Sequence, residues 1–176
     1  EQFGRKVAAE MEEFHINLWL APGLNIHRNP LCGRNFEYYS EDPLLSGLCA
    51  AADTRGVQRH PGCGTTIKHF ALNNQEDNRN HNNAHCTERA LREIYLKGFE
   101  IAVRTAQPLA LMSSYNLVNG IHSANNRELL TDILRDEWGF AGLVMTDWGT
   151  TDASTGFKYG SSATAGCVLA GNDLTM

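Results

Sequence analysis

The sequence predicts an α/β protein in which helices cover a parallel sheet. Helical and strand patterns alternate along the 176 residues, and about five βα units are visible. Strict alternation of this kind favours parallel strands joined by crossover helices. The predicted strands are also short, nearly continuous apolar runs, which are typical of strands buried on both faces.

The first half of the chain contains two helices and two strands. A helix is predicted over 2–15, followed by the apolar strand 17–21. The segment 22–43 is rich in Pro, Gly and Asn, which indicates a long loop. A second helix follows over 44–57, and the β-branched residues of 65–70 predict the second strand.

The middle of the chain has one polar loop and the clearest helix. The segment 73–85 is so rich in asparagine that neither a helix nor a strand is expected there. Thr87 is a suitable N-cap for a helix over 87–106, and Pro108 marks the exit from it. The apolar residues on one face of this helix are Leu91, Ile94, Tyr95, Ile101 and Ala102.

The last third repeats the alternation. A strand over 109–115 precedes a helix over 125–138, which has an Asn-x-x-Glu start and Gly139 at its end. The apolar segment 142–147 predicts a further strand, 163–170 a helix ending at Gly171, and 173–176 the beginning of another strand.

The composition excludes several classes of protein. A hydrophobic content of 42% is enough for one buried core, and 20% charged with 9% aromatic residues argues against disorder. The net charge of −5 argues against a general nucleic-acid binder. No apolar run approaches the roughly 20 residues that a membrane-spanning helix needs.

The five cysteines contain no CxxC pair and predict neither a disulfide framework nor a zinc site. Cys49 and Cys167 are interpreted as small core residues, whereas Cys32 and Cys63 lie in loops and could pair in a secreted protein. The odd number of thiols favours the cytoplasm over secretion. The location itself stays open, because we expect the natural N-terminus to lie upstream of Glu1.

Three predicted strands end in polar or aromatic residues. Lys68 and His69 lie at the end of one strand, Tyr115 ends another, and Asp147 with Trp148 follows a third. The carboxyl ends of parallel strands meet at one rim, so these side chains are expected to lie together. The simpler interpretation of Asp147 alone is that it caps the next helix.

Arginines in two loops add positive charge to this rim. Arg28 and Arg34 follow the first strand, and Arg79 lies in the polar loop. Guanidinium groups around a carboxylate suit recognition of hydroxyls or of a phosphate, although each could instead form a surface salt bridge. His81, His85 and Cys86 lack the spacing of metal ligands, so neither a metal nor a cofactor is predicted.

Three motifs in the right order resemble glycoside hydrolase family 3, of the β-glucosidase type: GRNFEYYSEDP at 33–43, KHF at 68–70 and VMTDWG at 144–149. The resemblance extends from NLWLAPGLNIHRNP at residue 17 to AGNDLTM at the end. It implies that 1–176 is part of an N-terminal (β/α)₈ TIM-type barrel, truncated at both ends. It also implies an α/β sandwich domain downstream, absent from this chain.

The resemblance also implies roles for individual residues. Asp147 resembles the catalytic nucleophile, and nearby cations are expected to lower its pKa and keep it ionised. Trp148 resembles the aromatic wall of the sugar site. The residues expected to bind the sugar are Arg34, Lys68, His69, Arg79, Tyr115 and Trp148.

The implied activity is retaining, exo-acting hydrolysis that releases terminal non-reducing β-D-glucose or a related sugar from a β-linked oligosaccharide or an aryl or alkyl β-glucoside. The family's acid/base glutamate comes from the domain after the barrel, so the fragment alone is expected to be inactive. The carboxylates that do not match this acid are Glu37, Glu41, Asp42, Glu76, Asp77 and Asp152.

Several alternatives stay open. Within the family they are a β-xylosidase, an exo-β-glucanase, an N-acetylglucosaminidase and a non-catalytic sugar-binding relative. Outside it, Lys68 could form the Schiff base of a lyase or aldolase, but that chemistry needs an apolar pocket around the ammonium group.

Overall fold

The computed structural model describes residues 1–152, 158–159 and 162–176. The main sheet has four parallel strands in the order β1-β2-β4-β7. These strands are β1 (Leu18–Trp19), β2 (Gly64–Phe70), β4 (Ala110–Ser113) and β7 (Leu143–Met145). Leu174 forms a further parallel bridge to Met145. The predicted α/β fold class with a parallel sheet is therefore confirmed.

Helices occupy the predicted places between the strands. The α-helices are α1 (Gln2–Glu13), α2 (Pro43–Val57), α3 (Glu88–Ala90), α4 (Lys97–Ala106) and α5 (Thr164–Ala170). Two further segments, Leu91–Tyr95 and Glu128–Glu137, have π-helical hydrogen bonding. The predicted N-cap at Thr87 is confirmed, because its hydroxyl oxygen accepts a hydrogen bond of 3.2 Å from the Ala90 N–H. No helix in these described ranges is both long and apolar enough to cross a membrane.

The predicted apolar face of the helix over 87–106 is partly wrong. A π-turn joins α3 to α4, and in it the Leu96 N–H binds the Leu91 carbonyl, five residues back, at 2.8 Å. Because the π-turn adds one residue, the face that meets the sheet rotates. Ile94 is consequently 41% exposed. The buried residues of this helix include Leu91, Leu96, Phe99, Ala102 and Val103.

The main core lies between the sheet and its helices. The ring of Phe70, at the end of β2, is fully buried and packs edge-on against Phe99 at 5.1 Å and Trp138 at 5.9 Å between ring centroids. Leu111 of β4 and Val144 of β7 belong to the same cluster. The opposite side of the sheet has a separate apolar cluster built on Ala110, Met112 and Met145.

A small second sheet lies outside the prediction. It contains β3 (Asn83–Ala84), β5 (Leu117–Val118) and β6 (Ile121–His122), in the order β3-β5-β6. Asn119 and Gly120 both have positive φ and form the turn between the antiparallel strands β5 and β6. The expectation that 73–85 holds no helix or strand is therefore wrong, because it contains β3 and a 3₁₀ turn at Arg79–His81.

The predicted start of the helix over 125–138 is also wrong by one residue. The side-chain oxygen of Asn126, not of Asn125, accepts from a helical N–H, that of Leu129 at 3.2 Å. Asn125 instead binds the backbone N–H and carbonyl of Ala163, which hold the chain just before α5. The five cysteines, all within the described ranges, are free thiols.

Candidate active site

All seven residues proposed from the sequence line one cavity of about 330 Å³ at the carboxyl ends of the strands. The topology places them together because β2, β4 and β7 are parallel neighbours. Leu20, Glu76 and Met112 complete the wall. The residues proposed from the sequence are Arg34, Lys68, His69, Arg79, Tyr115, Asp147 and Trp148.

The loop after β1 holds the end of β2 in place. The Leu24 N–H donates to the Lys68 carbonyl at 2.9 Å. The Asn25 amide binds the His69 backbone twice, donating to its carbonyl at 2.9 Å and accepting from its N–H at 2.8 Å. Asn25 is itself 3% exposed, so this clamp is shielded from water. These contacts fix the backbone from which two candidate site residues project.

Each cationic side chain around the cavity is paired with a carboxylate. Glu37 accepts from Arg34 at 2.5 Å and lies 3.2 Å from the Lys68 ammonium, while Glu76 accepts from Arg79 at 2.8 Å. Burial raises the pKa of Glu37, but the Arg34 hydrogen bond and the Lys68 charge lower it more, so the net shift is downward. Glu37 is therefore held as a carboxylate.

Asp147 is 6% exposed and lies two residues after Met145, where β7 ends. Its Oδ1 accepts from the Trp148 N–H at 2.8 Å. Burial raises the pKa of Asp147, and the lowering by Trp148, Tyr115 and the arginines does not reverse it. The expectation that cations lower this pKa is therefore wrong in net direction. The physical reason is that burial raises this pKa more than the hydrogen bonds from Trp148 and Tyr115 and the charges of Arg79 and Arg34 lower it.

Tyr115 connects the arginine side of the cavity to Asp147. Its hydroxyl donates to the Trp148 carbonyl at 2.6 Å, and its side chain also hydrogen-bonds with Asp147. The Arg79 guanidinium stacks over the Tyr115 ring, 4.7 Å from its centroid. Trp148 is 61% exposed and forms the outer wall of the cavity.

His69 is buried and neutral. Burial, and then the charges of Arg34, Lys68 and Arg79, hold the pKa of His69 well below its usual value. Its Nε2 lies 3.8 Å from Asp147 Oδ2, which is too long for a direct hydrogen bond. The imidazole is thus a polar, uncharged group beside the buried carboxylate.

The simpler interpretations of two residues are not supported. No helix begins at Asp147, whose backbone carbonyl instead accepts from the Thr150 hydroxyl at 2.7 Å in a turn. Lys68 lies against a carboxylate, not in the apolar surroundings that a Schiff-base lysine needs. Arg28 lies outside the cavity, where its Nε donates to the Tyr95 hydroxyl at 3.2 Å.

Sequence reasoning missed the residues that support the site. Glu37 was available in the GRNFE motif, and Glu76 precedes Arg79 by three residues, a spacing that allows an ion pair. Neither the motif nor the spacing shows that Glu37 also contacts Lys68, which lies on a different segment of the chain. In the part of the chain that the structure describes, no three His, Cys, Asp or Glu side chains converge to hold a metal ion.

Comparison with known proteins places this cavity in a family. The family model described as "Glycosyl hydrolase family 3 N terminal domain" matches residues 1–176. Beta-glucosidase A of Butyrivibrio fibrisolvens is 52% identical over 167 residues, which are 95% of this chain and 19% of that protein. An exo-alpha-(1->6)-L-arabinopyranosidase of Bifidobacterium breve is 55% identical over 146 residues, which are 83% of this chain and 19% of that protein.

Solved structures agree. Beta-glucosidase 3B from Thermotoga neapolitana, in complex with alpha-D-glucose, superposes with a TM-score of 0.90 at 49% identity, covering 99% of this chain and 23% of that one. The chain thus spans about a fifth of the length of the relatives it matches. A match over the whole chain, to the family model and to solved relatives alike, establishes that the chain belongs to glycoside hydrolase family 3.

Proposed function

We propose that this chain is the nucleophile-bearing part of the barrel of a retaining, exo-acting glycosidase. Its substrate is a β-linked oligosaccharide or an aryl or alkyl β-glucoside, from which it releases terminal β-D-glucose. The observation that carries the proposal is the buried Asp147 carboxylate in a cavity walled by Trp148 and by paired cations. Charged donors of this kind suit the many hydroxyls of a sugar.

The proposed chemistry has two steps. An Asp147 oxygen attacks the anomeric carbon as the bond from that carbon to the leaving oxygen breaks, and a general acid gives that oxygen a proton. Water then attacks the same carbon, gives its proton to the conjugate base, and releases the sugar and the free carboxylate. Lys68, His69 and the arginines bind hydroxyls through both steps.

The general acid is proposed to come from outside this chain. Besides Asp147, the carboxylate that lines the cavity in the described ranges is Glu76, which is paired with Arg79, and Glu37 lies against two lining residues, Arg34 and Lys68. Since the pKa of Glu37 is lowered, it holds no proton to donate near neutral pH. A glutamate of a downstream α/β sandwich domain, as in the resemblance above, would fill this role.

The first prediction separates the chain from the complete protein. We expect the complete protein to hydrolyse an aryl β-glucoside, and the purified 176-residue chain to show no appreciable turnover because it lacks the acid. Release of the aryl group, followed by its absorbance, measures both. Turnover by the isolated chain that is abolished by Asp147→Ala would contradict the proposal that the general acid comes from outside this chain. Binding without turnover by the complete protein would favour a non-catalytic relative.

A second candidate is an α-L-arabinopyranosidase, favoured by the 55% identity to relatives that carry that name. An α-L-arabinopyranoside matches a β-D-glucoside at the anomeric carbon, C2 and C3, but its C4 hydroxyl is inverted and it lacks the C6 hydroxymethyl group, so the two substrates test the cavity at C4 and C6. Comparing kcat/KM for aryl β-glucoside, α-L-arabinopyranoside and β-xyloside decides between them. The preferred substrate identifies the sugar, while all three would proceed through Asp147.

The second prediction concerns pH. The nucleophile must be ionised, so kcat/KM should rise with pH through the raised pKa of Asp147. Tyr115→Phe removes a hydrogen bond that favours the carboxylate, so the pKa should rise further and the acidic limb should move to higher pH. Tyr95→Phe, outside the cavity, is the control. An unmoved limb, or a move to lower pH, would contradict the role of Tyr115.

The raised pKa of Asp147 also makes the stability of the fold depend on pH. A carboxyl group whose pKa is higher in the folded state binds its proton more tightly there. The contribution of Asp147 to the free energy of unfolding therefore decreases as the pH rises from the ordinary aspartate pKa through the raised one. This buried carboxylate is kept at a cost to stability.

A further inference from the structure

Behind His69, on the side away from Asp147, lies a chain of three polar side chains. Glu76 Oε1 accepts from Asn73 Nδ2 at 2.9 Å, and the same Nδ2 donates to the Tyr38 hydroxyl at 3.1 Å. The Tyr38 hydroxyl lies 3.1 Å from His69 Nδ1. Tyr38 and Asn73 are 5% and 2% exposed, so water does not compete for these contacts.

The direction of each hydrogen bond is fixed from the Glu76 end. Glu76 is a carboxylate paired with Arg79 and can only accept, so the atom of Asn73 that faces it must be the NH₂ group. That NH₂ group also faces the Tyr38 oxygen, which therefore accepts from it. The single hydroxyl proton of Tyr38 is then left for His69.

The chain decides which nitrogen of His69 carries the proton. A Tyr38 hydroxyl that donates its proton to Nδ1 makes that nitrogen the acceptor and leaves the proton of the neutral ring on Nε2. Nε2 is the nitrogen that faces Asp147 Oδ2 across 3.8 Å. A neutral imidazole with this arrangement presents one N–H donor to the cavity and no acceptor.

The ring of His69 is also held in orientation. Its backbone is clamped on both polar atoms by Asn25, and the Tyr38 ring meets it edge-on at 6.2 Å between centroids. Tyr38 can lie there because residue 23 is glycine. A Cβ at Gly23 would come within 2.8 Å of the Tyr38 ring carbons. These contacts therefore restrict rotation of the His69 ring and disfavour a change of its tautomer.

We propose that Tyr38 is a positioning residue which, with Asn73 and Glu76, holds His69 as the Nε2–H tautomer, so that His69 offers the sugar a fixed hydrogen-bond donor beside Asp147. The proposal rests on the proposed function for its substrate. The sugar hydroxyl that His69 contacts must accept the hydrogen bond from Nε2–H. The proton of that hydroxyl can then be donated to a carboxylate or another acceptor. Tyr38 itself does not line the cavity.

The activity test uses the complete enzyme and a matched pair of neighbouring tyrosines. Tyr38→Phe removes the donor to His69, whereas Tyr39→Phe removes a hydroxyl that donates to Asp53 at 2.5 Å outside the cavity. We expect Tyr38→Phe to lower kcat/KM on an aryl β-glucoside by about tenfold, and Tyr39→Phe to change it less than about twofold.

A double-mutant cycle separates positioning from general damage. Glutamine at position 69 can keep a donor near Nε2 but has no group that needs the Tyr38 proton. In the His69→Gln background, Tyr38→Phe should therefore cost less than about twofold. An equal loss in both backgrounds would mean that Tyr38 acts through the fold and not through His69, and would overturn the proposal.

Solid-state ¹⁵N NMR of histidine-labelled enzyme tests the tautomer without relying on activity. His69 is assigned as the signal missing in His69→Gln. It should be neutral and protonated on Nε2 at neutral pH, and Tyr38→Phe should give a mixture of tautomers. A proton on Nδ1, or a charged ring, in the wild type would overturn the proposal. If the wild type does not hydrolyse glycosides, the proposed function fails, while this spectrum still decides the tautomer.

Discussion

Asp147→Asn should lower kcat of the complete enzyme by roughly three orders of magnitude or more, while the sugar still binds. The substitution keeps the size of the side chain and removes the oxygen nucleophile. Lys68, His69 and Trp148 are left in place to bind the sugar. Pre-steady-state and steady-state release of an aryl group, with ligand binding measured separately, gives kcat and the dissociation constant independently.

A slow fluorosugar substrate tests the same residue directly. It should become covalently attached to the wild-type enzyme, and peptide mapping should place the label on Asp147. Asp77→Asn, which changes an exposed carboxylate of the loop before Arg79, is the control and should label normally. Label on another carboxylate, or full activity in Asp147→Asn, would end the assignment.

Phe70→Ala should destabilise the sheet by about 3–5 kcal/mol, the usual cost of removing a large aromatic ring from a packed core. Phe70 is fully buried and makes two edge-on contacts, with Phe99 and Trp138. It also continues the strand that carries Lys68 and His69, and its carbonyl accepts from the Ser114 N–H at 2.8 Å. The cavity left by the ring would thus lie directly behind the site.

Hydrogen exchange of the complete protein, measured by mass spectrometry, resolves this effect in peptides from β2 and β4. A loss of that size corresponds to an increase of roughly a hundredfold or more in the exchange rate of their amides. Phe36→Ala provides the comparison, since Phe36 is 87% exposed and should leave exchange unchanged. Equal exchange in Phe70→Ala and wild type would show that the ring contributes little to this core.

The convergence of Lys68, His69, Tyr115 and Asp147 could be predicted because it needs only local signals and one topological rule. Each residue lies at or just beyond the end of a buried strand, and parallel strands bring such ends to one rim. Which residues share the rim is therefore visible in the sequence. How a group behaves there depends on its burial as well as its partners, and for Asp147 the net direction of the pKa shift was missed because burial outweighs the nearby arginines.

The partners could not be predicted because they depend on the course of two long loops. Glu37 and Glu76 look like ordinary surface carboxylates in the sequence, yet they neutralise the three cations of the cavity. Nothing in local periodicity encodes the distance between a residue after β1 and one after β2. The roles of the site residues in catalysis remain predictions.

Two errors in the fold have different causes. The hairpin of β5 and β6 had a recognisable signal, an Asn119-Gly120 pair between apolar residues, so it could have been predicted. The π-turn before Leu96 had none, because one added residue leaves the composition and approximate periodicity unchanged. Its effect appears only in which side chains, such as Ile94, become exposed.

The order β1-β2-β4-β7 of the main sheet is also the order of these strands along the chain. Each strand therefore adds to the edge formed by the preceding one, and none has to insert between two that are already paired. A ribosome releases the chain from its N-terminal end, so this sheet can grow in one direction as the chain emerges. Asp147, just beyond β7, therefore joins the cavity after Arg34, Lys68, His69, Arg79 and Tyr115 are already in place.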